Sequence, residues 1–174
     1  MKFKLKILIS SLLLLFVFSG AFAQNKEARK EKRQKAYLEC LQLVESGEFK
    51  FEAEKAYPMG GSSIDLSTNS GFVKISENKS TADLPFFGRA YRIDYGGDGG
   101  INFEGEILNK KLIRNDKKMK MTLSFDVKDK ETYTVIMEIF SKKSASTIIR
   151  TDSKAHISYS GQLSELEDEE SGNQ

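Results

Sequence analysis

Met119, Met121, Leu123, Phe125 and Val127 alternate with Lys120, Thr122, Ser124 and Asp126. That two-residue period constrains this chain more than any other feature. Successive side chains of an extended strand point to opposite sides, so the run has one oily face and one wet face, a pattern no helix of period 3.6 shares. Tyr133, Val135, Met137 and Ile139 repeat it; Thr147 with Ile149, and Ile157 with Tyr159, repeat it again. The breaks read NDKK, KDKE, SKKS and TDSK, all of them turn chemistry. Evenly spaced strands joined by short polar turns predict an antiparallel meander with one dry face. No helix-length segment separates them, which argues against a parallel α/β sheet.

Upstream the period differs. Residues 26 to 46 follow a helical pattern, charged on all sides in the first half (KEARKEKRQK) and amphipathic in the second (KAYLECLQLVES), with Gly47 as its terminator. Phe49, Phe51 and Ala53 then alternate with Lys50, Glu52 and Glu54. Ile64-Asp65-Leu66 and Phe72 to Ser76 read as further strands around a loop at MGGSS. The expected fold is mainly β: an antiparallel sandwich or barrel of about eight strands with one N-terminal amphipathic helix. Its domain spans residues 36–163, after a charged segment at 24–35 and before an acidic tail, residues 164–174, that reads as disordered.

The first 23 residues carry Lys2, Lys4 and Lys6, an apolar run from Ile7 to Phe18, and Ala21-Phe22-Ala23 before Gln24. This order of positive, apolar and small residues is that of a cleaved secretory signal peptide; the apolar run is shorter than the roughly 20 residues of a membrane span. Export to the periplasm, cell surface or medium is the expectation, with no transmembrane segment after cleavage. Cleavage removes three lysines and no acid, so 27 basic residues against 25 acidic become 24 against 25. No basic field remains to attract nucleic acid.

Cys40 is the one cysteine, so no internal disulfide forms and the core alone must hold the fold. It falls on the apolar stripe of the helix with Tyr37, Leu41 and Val44, as a buried spectator. His156 is the one histidine and alternates onto the face opposite Ile157 and Tyr159. A multi-histidine metal centre is excluded, and a Ser/His/Asp triad lacks its Gly-x-Ser-x-Gly elbow. No cofactor or metal is expected.

The densest chemistry is DLPFFGRAYRIDYGGDGG, residues 83 to 100. Pro85 disfavours α geometry at Leu84 and cannot donate to a sheet ladder. Residues 88 to 94 read as a strand with Arg89, Tyr91 and Ile93 on one face. A glycine loop through Tyr95, Gly96, Gly97, Asp98, Gly99 and Gly100 follows, able to present backbone N–H groups to an anion or simply to turn the chain. It lacks the Gly-Lys-Ser/Thr ending of a P-loop and the helix that follows a dinucleotide fingerprint. Asp94 and Asp98 lack the glutamate and flanking helices of an EF-hand.

LPFFGRAYRIDYGGDGGINFEG, residues 84 to 105, resembles the signature of the exported Bacteroidetes family filed as domain of unknown function 4251. Gly47 to Pro58, ending in Ala56-Tyr57-Pro58, is similar to that family's early strand and Ile157-Ser158-Tyr159-Ser160-Gly161 to its closing strand. The resemblance covers residues 36 to 163. Phe86 stands where tyrosine is frequent in the family, and His156 where a polar amide or arginine is. The resemblance implies export and a small β-rich domain, and supplies no chemistry.

The functional expectation is a non-enzymatic exported domain that binds a small molecule or an envelope protein, or supports the envelope. Its ligand site is expected on the concave side of the sheet, with Phe86, Phe87, Tyr91 and Tyr95 supplying apolar area, Arg89 an anion partner, and Gly97 and Asp98 the loop. Arg89 has a structural alternative, holding loop carbonyls or Asp94 or Asp98. The competing class is a glycan or peptide hydrolase using paired carboxylates from Asp94, Asp98 and Glu104, which requires two carboxyls converging in a cleft.

Overall fold

The computed structural model describes residues 26–91 and 99–166. The chain divides into two compact units, Met1–Ala36 and Tyr37–Gln174. Residues 26–46 are helical (α1). In the first unit, residues 26–35 are exposed on every side, as a charged run without an apolar stripe must be. Among its described residues the second unit holds the rest of α1 and nine strands: β1 (Glu48–Pro58), β2 (Ile64–Asp65), β3 (Gly71–Ser76), β4 (Lys79–Leu84), β5 (Ile101–Asn115), β6 (Lys120–Lys128), β7 (Thr132–Phe140), β8 (Ser144–Arg150) and β9 (Ile157–Glu165).

Strands β3 to β9 pair antiparallel in chain order, and β1 pairs with both β3 and β9. The sheet therefore closes on itself, an up-and-down barrel of eight strands with β2 outside the ring on the end of β1. Closure satisfies the row of backbone groups that each edge of an open sheet would present. The seam runs from Phe49↔Glu165 to Pro58↔Ile157, with a register shift between Ala53 and Lys55. A bulge of this kind bends a strand and adds twist, which helps β1 curl between two neighbours.

Inward positions carry Phe49, Phe51, Ile75, Leu84, Phe103, Phe125, Met137, Ile139 and Tyr159, all buried in one cluster. An eight-stranded barrel is just wide enough for side chains to fill. Within the second unit, α1 adds Tyr37, Cys40, Leu41, Leu43 and Val44 to the cluster. The Tyr37 hydroxyl donates to Asp116 Oδ1 at 2.6 Å, and the Cys40 thiol donates to the Phe140 carbonyl at 3.6 Å. These contacts place this part of the helix at the barrel end that carries the β5–β6 and β7–β8 turns. Burial pushes the Cys40 thiol up and keeps it from becoming a thiolate. Gly47 ends the helix at φ +74°, the left-handed geometry expected of a terminating glycine.

Two elements depart from the sequence pattern. Only Ala90 of residues 88–91 pairs, in a single bridge to Lys154, where a strand over 88 to 94 was expected; residues 92–98 lie outside the described residues. Pro85 and Gly88 explain the interruption, one having no N–H to donate and the other crossing over the ring of Phe86. The strand β4, with Ser80, Ala82 and Leu84 inward, is an addition: a polar serine and a small alanine precede Leu84 and leave no apolar run to read.

Thr147 also faces the interior, in register with Met137 on one side and Tyr159 on the other. It is fully buried, and its hydroxyl has no hydrogen-bond partner among the described residues. A buried polar group without a partner costs about 1–3 kcal/mol. Thr147→Val, which keeps the branched shape and removes the oxygen, is expected to raise Tm by about 2–4 °C for each kcal/mol recovered. A melting curve in which the valine variant is less stable would show that the hydroxyl is in fact satisfied.

Candidate functional site

The chain leaves β4 at Pro85 at the end of the barrel away from α1. Gly71 makes room for that exit: a Cβ on it would lie 2.6 Å from Pro85 Cδ and 2.7 Å from the Asp83 carbonyl oxygen. The Pro85 carbonyl accepts a 2.9 Å hydrogen bond from the hydroxyl of Tyr159, whose ring is buried in the barrel core. Burial holds that phenol strongly towards its neutral, donating form.

Phe86 is half-buried and packs against the core cluster. The Lys154 ammonium lies over its ring, 5.5 Å from the centroid, a cation–π arrangement. Gly88 lets the backbone fold back on the same ring, since a Cβ there would meet Phe86 Cζ at 2.5 Å.

Residues 89–91 then run against the β8–β9 connection. Ala155 N–H donates to the Arg89 carbonyl at 2.9 Å, and Tyr91 N–H donates to the Ser153 carbonyl at 2.7 Å. Ser153 is itself held by Glu131 of the β6–β7 turn, whose carboxylate accepts from the Ser153 N–H at 3.0 Å and its hydroxyl at 2.6 Å. The Lys154 ammonium donates to the Gly100 carbonyl, where the chain returns to β5. Four elements thus converge: the β4 exit, the β5 entry, the β6–β7 turn and the β8–β9 connection.

The result is a braced arch. By alternation about the Ala90↔Lys154 bridge, Arg89 and Tyr91 share one face. Both are exposed, Tyr91 at 67 %, and Phe87 beside them stands at 36 %. Tyr95, Gly97 and Asp98 lie outside the described residues, as does Asp94. Glu104, the remaining candidate carboxylate of the hydrolase reading, is exposed on the outer face of β5. His156 is exposed, as its alternation with Ile157 predicts.

Lys154, Ser153 and Glu131 are the neighbours of the arch that sequence reasoning missed. TDSK and KDKE read as turns, which they are, but nothing local reveals that Lys154 reaches Gly100, 54 positions away. Tyr159→Phe is expected to destabilise the domain by about 1 kcal/mol, because the Pro85 carbonyl loses its donor in a partly buried setting. Amide exchange in residues 86–91 should accelerate more than in the barrel strands; uniform acceleration would show that the bond does not anchor the arch locally.

No helix among the described residues is long and apolar enough to cross a membrane. No curated protein matches the chain. A crystal structure of a DUF4251 family protein from Bacteroides eggerthii is similar in fold, with a TM-score of 0.60 and 18 % identity over 75 % of this chain and 87 % of that one. The family model described as Domain of unknown function (DUF4251) matches residues 31–163, the stretch that holds all but the last two residues of the barrel, and the chain belongs to that family.

Proposed function

We propose that this protein is an exported, non-enzymatic binding domain of the periplasm or cell surface, and that its contact surface is the arch bearing Phe86, Phe87, Arg89 and Tyr91. The observation that carries this reading is the exposure of Arg89 and Tyr91 on one face of a backbone pair whose other member, residues 153–155, is braced by Glu131 and by the Lys154–Gly100 bond. Arginine and tyrosine are the residue types that most often anchor interfaces, and a fixed backbone lowers the entropy lost on binding. The barrel interior is occupied by its own side chains, so an outer surface suits recognition of a macromolecular envelope component better than enclosure of a small molecule.

The test is co-sedimentation of the mature chain, from Gln24 on, with isolated envelopes and peptidoglycan sacculi of the producing bacterium. The double variant Arg89→Ala/Tyr91→Ala is expected to reduce the bound fraction at least about tenfold. Its Tm should stay within about 2 °C, because exposed substitutions usually change stability by less than about 0.5 kcal/mol. Unchanged co-sedimentation would sink the arch as the contact surface. A large fall in Tm from Arg89→Ala alone would assign that arginine to structure instead. Mass spectrometry of protein recovered from the periplasm or medium should give an N-terminus at Gln24; an intact Met1 would refute cleavage there.

A further inference from the structure

The ladder between β4 and β5 stops at Lys79↔Glu106, while β5 continues to Asn115. One further bond, from Ile107 N–H to the Asn78 carbonyl at 2.7 Å, closes that side. From Leu108 onward β5 pairs with β6 alone among the described strands. This stretch of β5 therefore leaves an edge open on a barrel that otherwise closes on itself. Lys111, Ile113, Arg114 and Asn115 are exposed, and Ile113 shows 52 % of its surface. An open edge offers alternate N–H and C=O groups to any extended chain that reaches it.

The charged residues of this stretch of β5, Lys110, Lys111 and Arg114, are all basic. Arg114 bonds to Glu45 and Asp116, whereas Lys110, Lys111, Lys117 and Lys118 make no ion pair among the described residues. A register shift between Leu108 and Lys111, with Asn109 at φ +54°, interrupts the upper part of the edge. Lysines and bulges are the usual guards against edge-to-edge association. Here they confine a regular ladder to Lys111–Asn115, and pairing with a second copy of the same edge would bring lysines of both copies together. The same charges attract a strand of the opposite sign.

We propose that Lys111–Asn115 of β5 is a docking strand for an extended acidic segment of a partner protein. The segment adds beside β5 through backbone hydrogen bonds, sets its carboxylates near Lys110 and Lys111, and lays an apolar side chain on Ile113. This surface lies on a different strand from the arch and does not depend on it.

The probe is a capped, fluorescent eight-residue peptide with glutamate and valine taking turns at every second position, so that both lie on one face as Lys111 and Ile113 do, and threonine between them, titrated by anisotropy into the mature chain. Saturable binding is expected, with protection from amide exchange concentrated in residues 111–115. Methylating alternate backbone nitrogens of the peptide should weaken binding at least about tenfold, since it removes the ladder and leaves the charges. Lys110→Glu/Lys111→Glu, two exposed positions whose exchange leaves the core intact, should weaken it about tenfold or more and admit the same peptide with lysine in place of glutamate instead. Equal binding of the methylated peptide would overturn strand addition in favour of charge alone. Absence of saturation, protection elsewhere, or a dimer in sedimentation velocity that occupies the edge and excludes the peptide would overturn the proposal as well.

Discussion

Gly161→Ala should destabilise this protein by about 3 kcal/mol and lower Tm by roughly 6–12 °C. Gly161 lies on β9 opposite Ala53 of β1, beside the bulge at the barrel seam. A Cβ there would fall 1.8 Å from the Glu52 carbonyl oxygen and 2.8 Å from its carbon. Those atoms are backbone, so relief requires β1 and β9 to separate where the barrel closes. Gly61→Ala is the control: its Cβ would meet Pro58 Cγ at 3.5 Å in an exposed loop, and surface changes of that kind stay within about 0.5 kcal/mol. If Gly161→Ala melted with the parent protein, the close approach at the seam would be refuted.

The second large effect is expected from Phe125→Ala. Phe125 is 1 % exposed, on β6 opposite Val135 of β7, within the filled interior. Truncating a buried phenylalanine costs about 3–5 kcal/mol, part from lost transfer energy and part from the cavity left behind. Tm should fall by at least about 6 °C. The apolar cavity should stay dry and accept benzene, which would restore part of the lost Tm. Phe87→Ala, at the exposed arch, should change Tm little by comparison. Equal effects at the two positions would contradict the division into a packed interior and an exposed rim.

The strands after residue 119 were legible because their signals are local. Met121 to Val127 alternate without exception, in Tyr133 to Ile139 only the outward Ile136 breaks the pattern, and every inward member of both runs is buried. Cys40 was legible for the same reason, as one of a run of helical-period apolar positions. The strand β4 was not, because Ser80, Ala82 and Leu84 become an inward face only once a neighbouring strand lies on each side. At the arch, Phe86, Phe87, Arg89 and Tyr91 could be named from composition and from Pro85. Which of them bury was decided elsewhere: Phe86 turns inward under the Lys154 ammonium, and Arg89 and Tyr91 turn outward because their backbone pairs with residues 153–155. Those partners carry no mark of it in the chain.

By itself, the order of residues determined that the chain makes a meander of antiparallel strands behind one helix. Alternation and turn chemistry act over a few positions, and no distant contact is needed to read them. Whether the meander packs into two sheets or closes into a ring rests on β1 meeting β9, as at Tyr57 and Ser160, 103 positions apart. Only the tertiary structure decided that, because closure depends on the combined register, bulge and twist of all eight strands, and no single segment encodes their sum.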